Sequence, residues 1–236
     1  VSDATGKRQG QGLFPYVQGS ETSHAALKNI KLALYDDIKT HGTKANAYFG
    51  LLSGVAEYAD IDRCSVVGTA AEGQKRVIEV HNISQNNGTL GGLVGLLENG
   101  SINNAEVSDV LVEMSSAQGQ WSTTMRVGGI VGLATTSSIQ ACTVQNAQIT
   151  IAHINVSSKG PIYLGGLAGW AEGIVESGST VRSLYFKMTY GQKVEDCVPG
   201  TVFGFASGAS LSPATIESVT YSVSDRDVLP VTKEVG

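Results

Sequence analysis

Val127-Gly-Gly-Ile-Val-Gly132 is the most regular of five tracts built as a glycine, three mostly apolar residues and a second glycine. The others are Gly50-Leu-Leu-Ser-Gly54, Gly91-Gly-Leu-Val-Gly95, Gly165-Gly-Leu-Ala-Gly169 and Gly204-Phe-Ala-Ser-Gly208, with successive starts 41, 37, 37 and 39 residues apart. A degenerate copy starts at Gly12, in GLFPYV, 38 residues before Gly50, with Tyr16 in place of its second glycine. Three copies add an inner glycine, at Gly92, Gly129 and Gly166. A fixed period of this length marks a repeat architecture.

The similarity extends beyond the glycines. Seven residues after the second glycine stand Ile61, Ile102 and Ile139; ten after it, Cys64, Ala105 and Cys142; twelve after it, Val66, Val107 and Val144. The fourth full copy reads as carrying an insertion that delays its apolar pair to Val181 and Leu184, and the last, with Ile216 and Val219, as shifted by about one residue. Val110, Val112 and Met114, then Ala147, Ile149 and Ile151, alternate with period two, which is strand patterning.

One such unit cannot bury its apolar face alone, whereas stacked copies share a continuous core. The expectation is an all-β chain, a parallel β-helix of about six repeats of 37–41 residues forming a single domain over 1–236, with 224–236 as a C-terminal tail or cap. Each repeat offers about three short strands. The glycines would stack at a tight bend, where a β-carbon would crowd the neighbouring coil or the backbone needs positive φ. A β-propeller, a sandwich, and a helix over Ser23–Asp37 are the weaker alternatives. Gly68–Thr89 reads as the clearest protruding loop.

The tracts LGGLVG (Leu90–Gly95), VGGIVG (Val127–Gly132) and LGGLAG (Leu164–Gly169), each followed by an isoleucine-centred strand, resemble GLUG-motif repeats. GLFPYV and the ALKNIKL after it are similar to the same family. Such repeats occur in large bacterial cell-surface and secreted proteins, including adhesins and noncatalytic regions of immunoglobulin A1 protease-like proteins, with many examples among Bacteroides relatives. The resemblance implies a β-helical stalk or binding module outside the cell and no catalytic residue.

Composition agrees with a folded β-protein. Of 236 residues, 42% are hydrophobic and only 16% charged, which argues against disorder. Sixteen Lys and Arg against 21 Asp and Glu, a net charge of −5, offer nucleic acid little to hold. No apolar run of membrane-spanning length occurs. Starting at Val1 without Met, the chain reads as a mature or excised segment, with further domains of a longer parent expected.

Catalytic patterns are missing from the sequence. No two of His24, His41, His81 and His153 have the spacing of a zinc-peptidase helix, and neither Gly-x-Ser-x-Gly nor a P-loop is present. The expected function is therefore a noncatalytic surface module, an adhesin-type binding domain or a spacer, with a host protein or glycan as partner. The alternative is a β-helical lyase or glycoside hydrolase, which needs carboxylates converging on one groove.

Three groups of residues are candidates for contact. Glu57, Glu98 and Glu172 share a repeat position, broken by Thr135; solvated turn carboxylates are the plain reading, and a weak calcium contact the other. Asp60 and Asp62 could join that patch. Trp121, Trp170 and Tyr163 lie beside glycine cores, where rings could stack on sugar, and Tyr185, Phe186 and Tyr190 cluster in the fourth copy. Cys64 and Cys142 share a position two coils apart, beyond disulfide reach, and should be buried thiols; Cys197 stands alone. No metal site and no cofactor beyond that calcium contact are expected.

Overall fold

The computed structural model describes residues 9–42, 47–82, 88–115, 124–154, 161–190, 197–212, 214–223 and 226–228. It is an all-β solenoid, with no helix among these residues. Each coil crosses four sheets, one more than the three strands expected. The first sheet contains Gln9–Gln11, Ala47–Gly50, Gly88–Gly91, Met125–Gly128, Ile162–Gly165 and Cys197–Gly200. The second contains Phe14–Gln18, Ser53–Glu57, Val94–Glu98, Val131–Thr135, Ala168–Glu172 and Phe203–Ser207. A six-stranded third sheet runs from Ala25–Lys28 to Ser210–Leu211, and a ten-stranded fourth carries the long strands Thr143–Ile154, Thr180–Tyr190 and Thr215–Val223. Pairing between coils is parallel throughout; only Arg226–Val228 turns back antiparallel, onto Tyr221–Val223.

Side chains of like position stack into the core. Leu52, Leu93, Ile130 and Leu167 are fully buried, as are Ile61, Ile102 and Ile139, and Val66, Val107, Val144 and Val181. Stacking identical rows gives every coil the same interior cross-section, so each buried branched side chain contributes about 1.5–3 kcal/mol without a local misfit.

Register corrects the sequence reading at the C-terminal end. Gly165 pairs with Gly200, so the last core is Gly200–Gly204 rather than one starting at Gly204. Counting from Gly204 would put Ala206 at the position of Leu167, but Val202 holds it: the Val202 carbonyl accepts the Leu167 N–H, while Ala206 pairs with Ala171. Val181 pairs with Val144 and Ile216 with Val181, so the fourth copy has no insertion and the last no shift. The fourth copy only looked irregular because Glu176 fills the isoleucine position opposite Ile139. Its buried carboxylate accepts the Ser179 N–H at 3.1 Å. In the first copy, pairing of Phe14 with Ser53 and Tyr16 with Val55 puts Pro15, not Tyr16, opposite Gly54. Ser23–Asp37 holds two strands, Ala25–Lys28 and Lys31–Leu34. The loop expected over Gly68–Thr89 is in part strand, Arg76–Asn82, between Ile38–Gly42 and Val110–Ser115.

Two kinds of corner bend the coil. At the glycine bend the reason is space: a β-carbon on Gly129 would overlap the Gly166 carbonyl oxygen and stand 3.0 Å from both Val144 methyls, and the φ of Gly129 is not positive. The other corners use left-handed residues. Tyr58, Asn99, Thr136, Gly173 and Gly208 have φ of 48, 52, 47, 60 and 59° between the second and third sheets. Asn29, Arg63, Asn104, Ala141 and Gly178 do the same between the third and fourth, at 60, 51, 54, 50 and 68°. Backbone bonds to the next coil hold these corners, such as Arg63 N–H to the Asn103 carbonyl at 3.0 Å and Asn104 N–H to that of Gln140 at 3.0 Å. That support lets Tyr, Arg and Ala occupy a conformation costing about 1–2 kcal/mol for a residue with a β-carbon.

At the N-terminal end the core opens into an apolar cavity of about 610 Å³ lined by Leu13, Leu32, Ile38, Phe49, Ile78 and Leu90.

Candidate functional site

The first two sheets carry a second apolar row on the face away from the core. Along Met125–Gly128, Met125 and Val127 point inward and Arg126 outward; along Ile162–Gly165, Tyr163 is the outward residue. In the second sheet Trp170 stands between the buried Ala168 and Ala171. The two outward rows meet because Gly132, Gly169 and Gly204 let the sheets approach backbone to backbone. A β-carbon on Gly169 would lie 2.6 Å from the Val127 nitrogen and 3.0 Å from the Arg126 carbonyl carbon. The result is a packed seam over a floor of glycines, with Val55, Leu96 and Thr89 buried in it. Tyr48, Thr89, Arg126 and Tyr163 form one wall, and Val55, Leu96, Leu133, Trp170 and Phe205 the other.

Aromatic rings gather at its C-terminal half. Trp170 and Phe205 stack with centroids 3.9 Å apart and planes at 25°. Tyr163 meets Trp170 edge-on at 4.9 Å and Phe205 at 5.5 Å. All three rings are half-buried. The Arg126 guanidinium carbon lies 5.1 Å from the Trp170 ring centroid, within cation–π range. Burial lowers the Arg126 pKa, and the neighbouring Tyr48 and Tyr163 act against it. Arg126 Nε and the cross-strand Thr89 Oγ1 are both enclosed without a hydrogen-bond partner.

The structure thus unites Trp170 and Tyr163, while Trp121 lies outside the described residues. Sequence reading missed Phe205 because the last repeat was set out of register; counted from Gly204, Phe205 follows its glycine as Trp170 follows Gly169. It also missed Arg126, although Tyr48, Arg126 and Tyr163 each stand two residues before a first glycine. The fourth-copy aromatics do not form a site: Phe186 is in the core, Tyr185 is half-buried outside it, and the Tyr190 side chain is outside the described residues.

The glutamates do share one outward row: Glu57 pairs with Glu98, Glu98 with Thr135, and Thr135 with Glu172. Gln18 Nε2 donates to Glu57 at 3.3 Å. Asp60 and Asp62 belong instead to the third sheet, opposite Ser101 and Asn103. Burial pushes the Asp60 carboxyl up, but hydrogen bonds from Ser101 at 2.7 Å and His24 at 3.1 Å bring it below its ordinary value. Among the described residues, no three His, Cys, Asp or Glu side chains are grouped for a metal ion.

Repeat stacking also makes a polar cluster that sequence spacing hid. On the fourth sheet the His41 and His81 rings meet at 5.5 Å, and Lys39 pairs with Glu79 at 3.0 Å. Ser115 Oγ donates to Glu79 at 2.8 Å and lies 3.0 Å from His81 Nδ1. With its one hydrogen on Glu79, the Ser115 hydroxyl accepts from His81, so the histidine is not placed as its base. Burial raises the Glu79 carboxyl, but Ser115 and Lys39 outweigh it and leave the pKa lowered.

Cys64 and Cys142 are buried free thiols, with Ala105 at their position on the coil between. Burial pushes Cys142 up to about 12 and also raises Cys64. Neither should react with a disulfide reagent in the native protein at neutral pH, because only the thiolate attacks. Thiol titration of freshly purified protein should find three free thiols once denaturant is added. A denatured count of one would contradict this. Alanine at either position should cost about 1–2 kcal/mol through lost packing.

No curated protein and no solved structure matches the chain. Residues 123–150 match the family model described as the GLUG motif. This segment reaches through the strands Met125–Gly128, Val131–Thr135 and Ser138–Gln140 into Thr143–Ile154, so the motif corresponds to one pass across all four sheets. Residues 123–150 are thus similar to a GLUG repeat, and this segment forms part of one coil of the β-helix.

Proposed function

We propose that this chain is a noncatalytic binding module on the outside of a bacterial cell, which takes a glycan on the Tyr163–Trp170–Phe205 cluster. The observation that carries the reading is the set of three touching, half-buried rings on the outer face of a regular coil. Half-buried aromatic side chains on an outer face offer a sugar apolar contact, and a rigid ladder positions them without ordering cost. An adhesin, or the noncatalytic part of a larger immunoglobulin A1 protease-like protein of Bacteroides type, is the setting the GLUG motif suits. The carboxylates favour binding over hydrolysis. Glu57 and Glu98 are close enough, as cross-strand neighbours, but stand on one wall, and the facing row of Tyr48, Thr89, Arg126 and Tyr163 holds no acid to complete a pair.

A glycan array probed with and without calcium tests the proposal. Parent protein should show glycan hits that Trp170→Ala abolishes and chelation leaves intact; an array without hits leaves only the spacer role. Glu98→Gln should change stability by no more than about 0.5 kcal/mol, since it stands in an outward row and glutamine keeps its size and hydrogen-bonding capacity. Calcium should not shift the melting of either protein. Stabilisation of the parent but not of the variant would turn the glutamate row into a cation site.

A further inference from the structure

The charged group left without a hydrogen-bond partner in this seam is Arg126, at its Nε. An arginine withdrawn from water is ordinarily paired with an anion. Here no acidic side chain among the described residues is within ion-pair distance of it; its ring contact is with Trp170. Next to it Thr89, 1% exposed, also lacks a hydrogen-bond partner for its hydroxyl. The wall that holds both contains no carboxylate, although the chain as a whole is acidic at −5. A guanidinium held over the Trp170 ring without an acidic partner is complementary to a carboxylate on a ligand.

We propose that the sugar bound here is acidic: the carboxylate of a uronic acid pairs with the Arg126 guanidinium, which the Trp170 ring holds in place, while the pyranose ring lies beside the Tyr163–Trp170–Phe205 cluster. This rests on the glycan-binding reading above and names its substrate class. Glu172 limits the choice further. It lies two residues beyond Trp170 on the same outward side, about 7 Å along the strand. A polymer charged at every sugar would place a second carboxylate near it. An alternating polymer, with a neutral sugar between uronic acids, avoids that repulsion.

The test measures binding of hyaluronan and unsulfated chondroitin oligosaccharides, of an oligogalacturonide, and of carboxyl-reduced forms of each, to the parent protein, Arg126→Gln, Arg126→Lys and Trp170→Ala. At least one alternating oligosaccharide should bind more tightly than the oligogalacturonide. Carboxyl reduction and Arg126→Gln should each weaken it about tenfold or more, with Arg126→Lys in between. Comparing native with carboxyl-reduced ligand needs no variant and so stands even where a substitution disturbs folding. Glycan hits that need Trp170 but respond neither to carboxyl reduction nor to Arg126→Gln would overturn the acidic-sugar assignment and leave the glycan reading standing. Failure of every neutral and acidic glycan to bind the parent would overturn both.

Discussion

Replacing Gly129 by valine is expected to unfold the protein or drive it to aggregate. The new β-carbon would enter the Gly166 carbonyl oxygen of the next coil and meet both Val144 methyls across the interior at 3.0 Å. None of these atoms can withdraw easily. The carbonyl lies beside the backbone ladder, where Gly129 N–H donates to Gly166 O at 3.1 Å, and Val144 is in a fully buried row. Overpacking of this kind costs about 3 kcal/mol or more, a large part of a marginal stability. The crowding comes from one neighbouring coil and the opposite wall, rather than from the coils on both sides. Backbone strain plays no part. Gly178→Asn is the matching control: its φ of 68° is left-handed, but no atom stands within 4 Å of the added carbon, so the loss should stay below about 1 kcal/mol. Thermal melting compares the two. A Gly129→Val protein that melts within about two degrees of the parent would refute the close-approach account.

Phe186→Ala should be the most damaging truncation of the fourth sheet, at about 3–5 kcal/mol. Phe186 is 1% exposed and its strand position pairs with Ile149 on one side and Tyr221 on the other. Its neighbour Tyr185 points the other way and is half-buried, so Tyr185→Ala should cost less than about 1.5 kcal/mol. Chemical denaturation of the two variants reads the register directly, since a slip of one residue exchanges their roles. Equal costs would mean that this strand does not have one buried face.

Much of this architecture was legible because a solenoid repeats its environment. Each coil meets the same neighbours, so the isoleucine, valine and glycine positions recur at constant offsets and reveal parallel stacking without knowledge of any contact. The pattern failed where a coil substitutes chemistry at a core position. Glu176 in the isoleucine row passed for an insertion because its carboxylate is satisfied by the Ser179 N–H, a partner that only the folded corner provides. The last glycine core was misplaced because Gly200 and Gly208 are both in the sequence, and only strand pairing says that Gly200 continues the bend while Gly208 is a left-handed corner.

The repeat, the all-β class and the parallel core follow from sequence alone, through apolar spacing and the need to bury it. The corners and the outer seam depend on contacts between coils and sheets. Left-handed φ at Tyr58, Arg63 and Ala141 has no signature in residue type, because hydrogen bonds from the next coil rather than local preference hold those turns. Arg126, Tyr163, Trp170 and Phe205 come from three coils and two sheets. They meet only because the glycine rows let those sheets close on each other, bringing outward side chains that are far apart in the chain into one site.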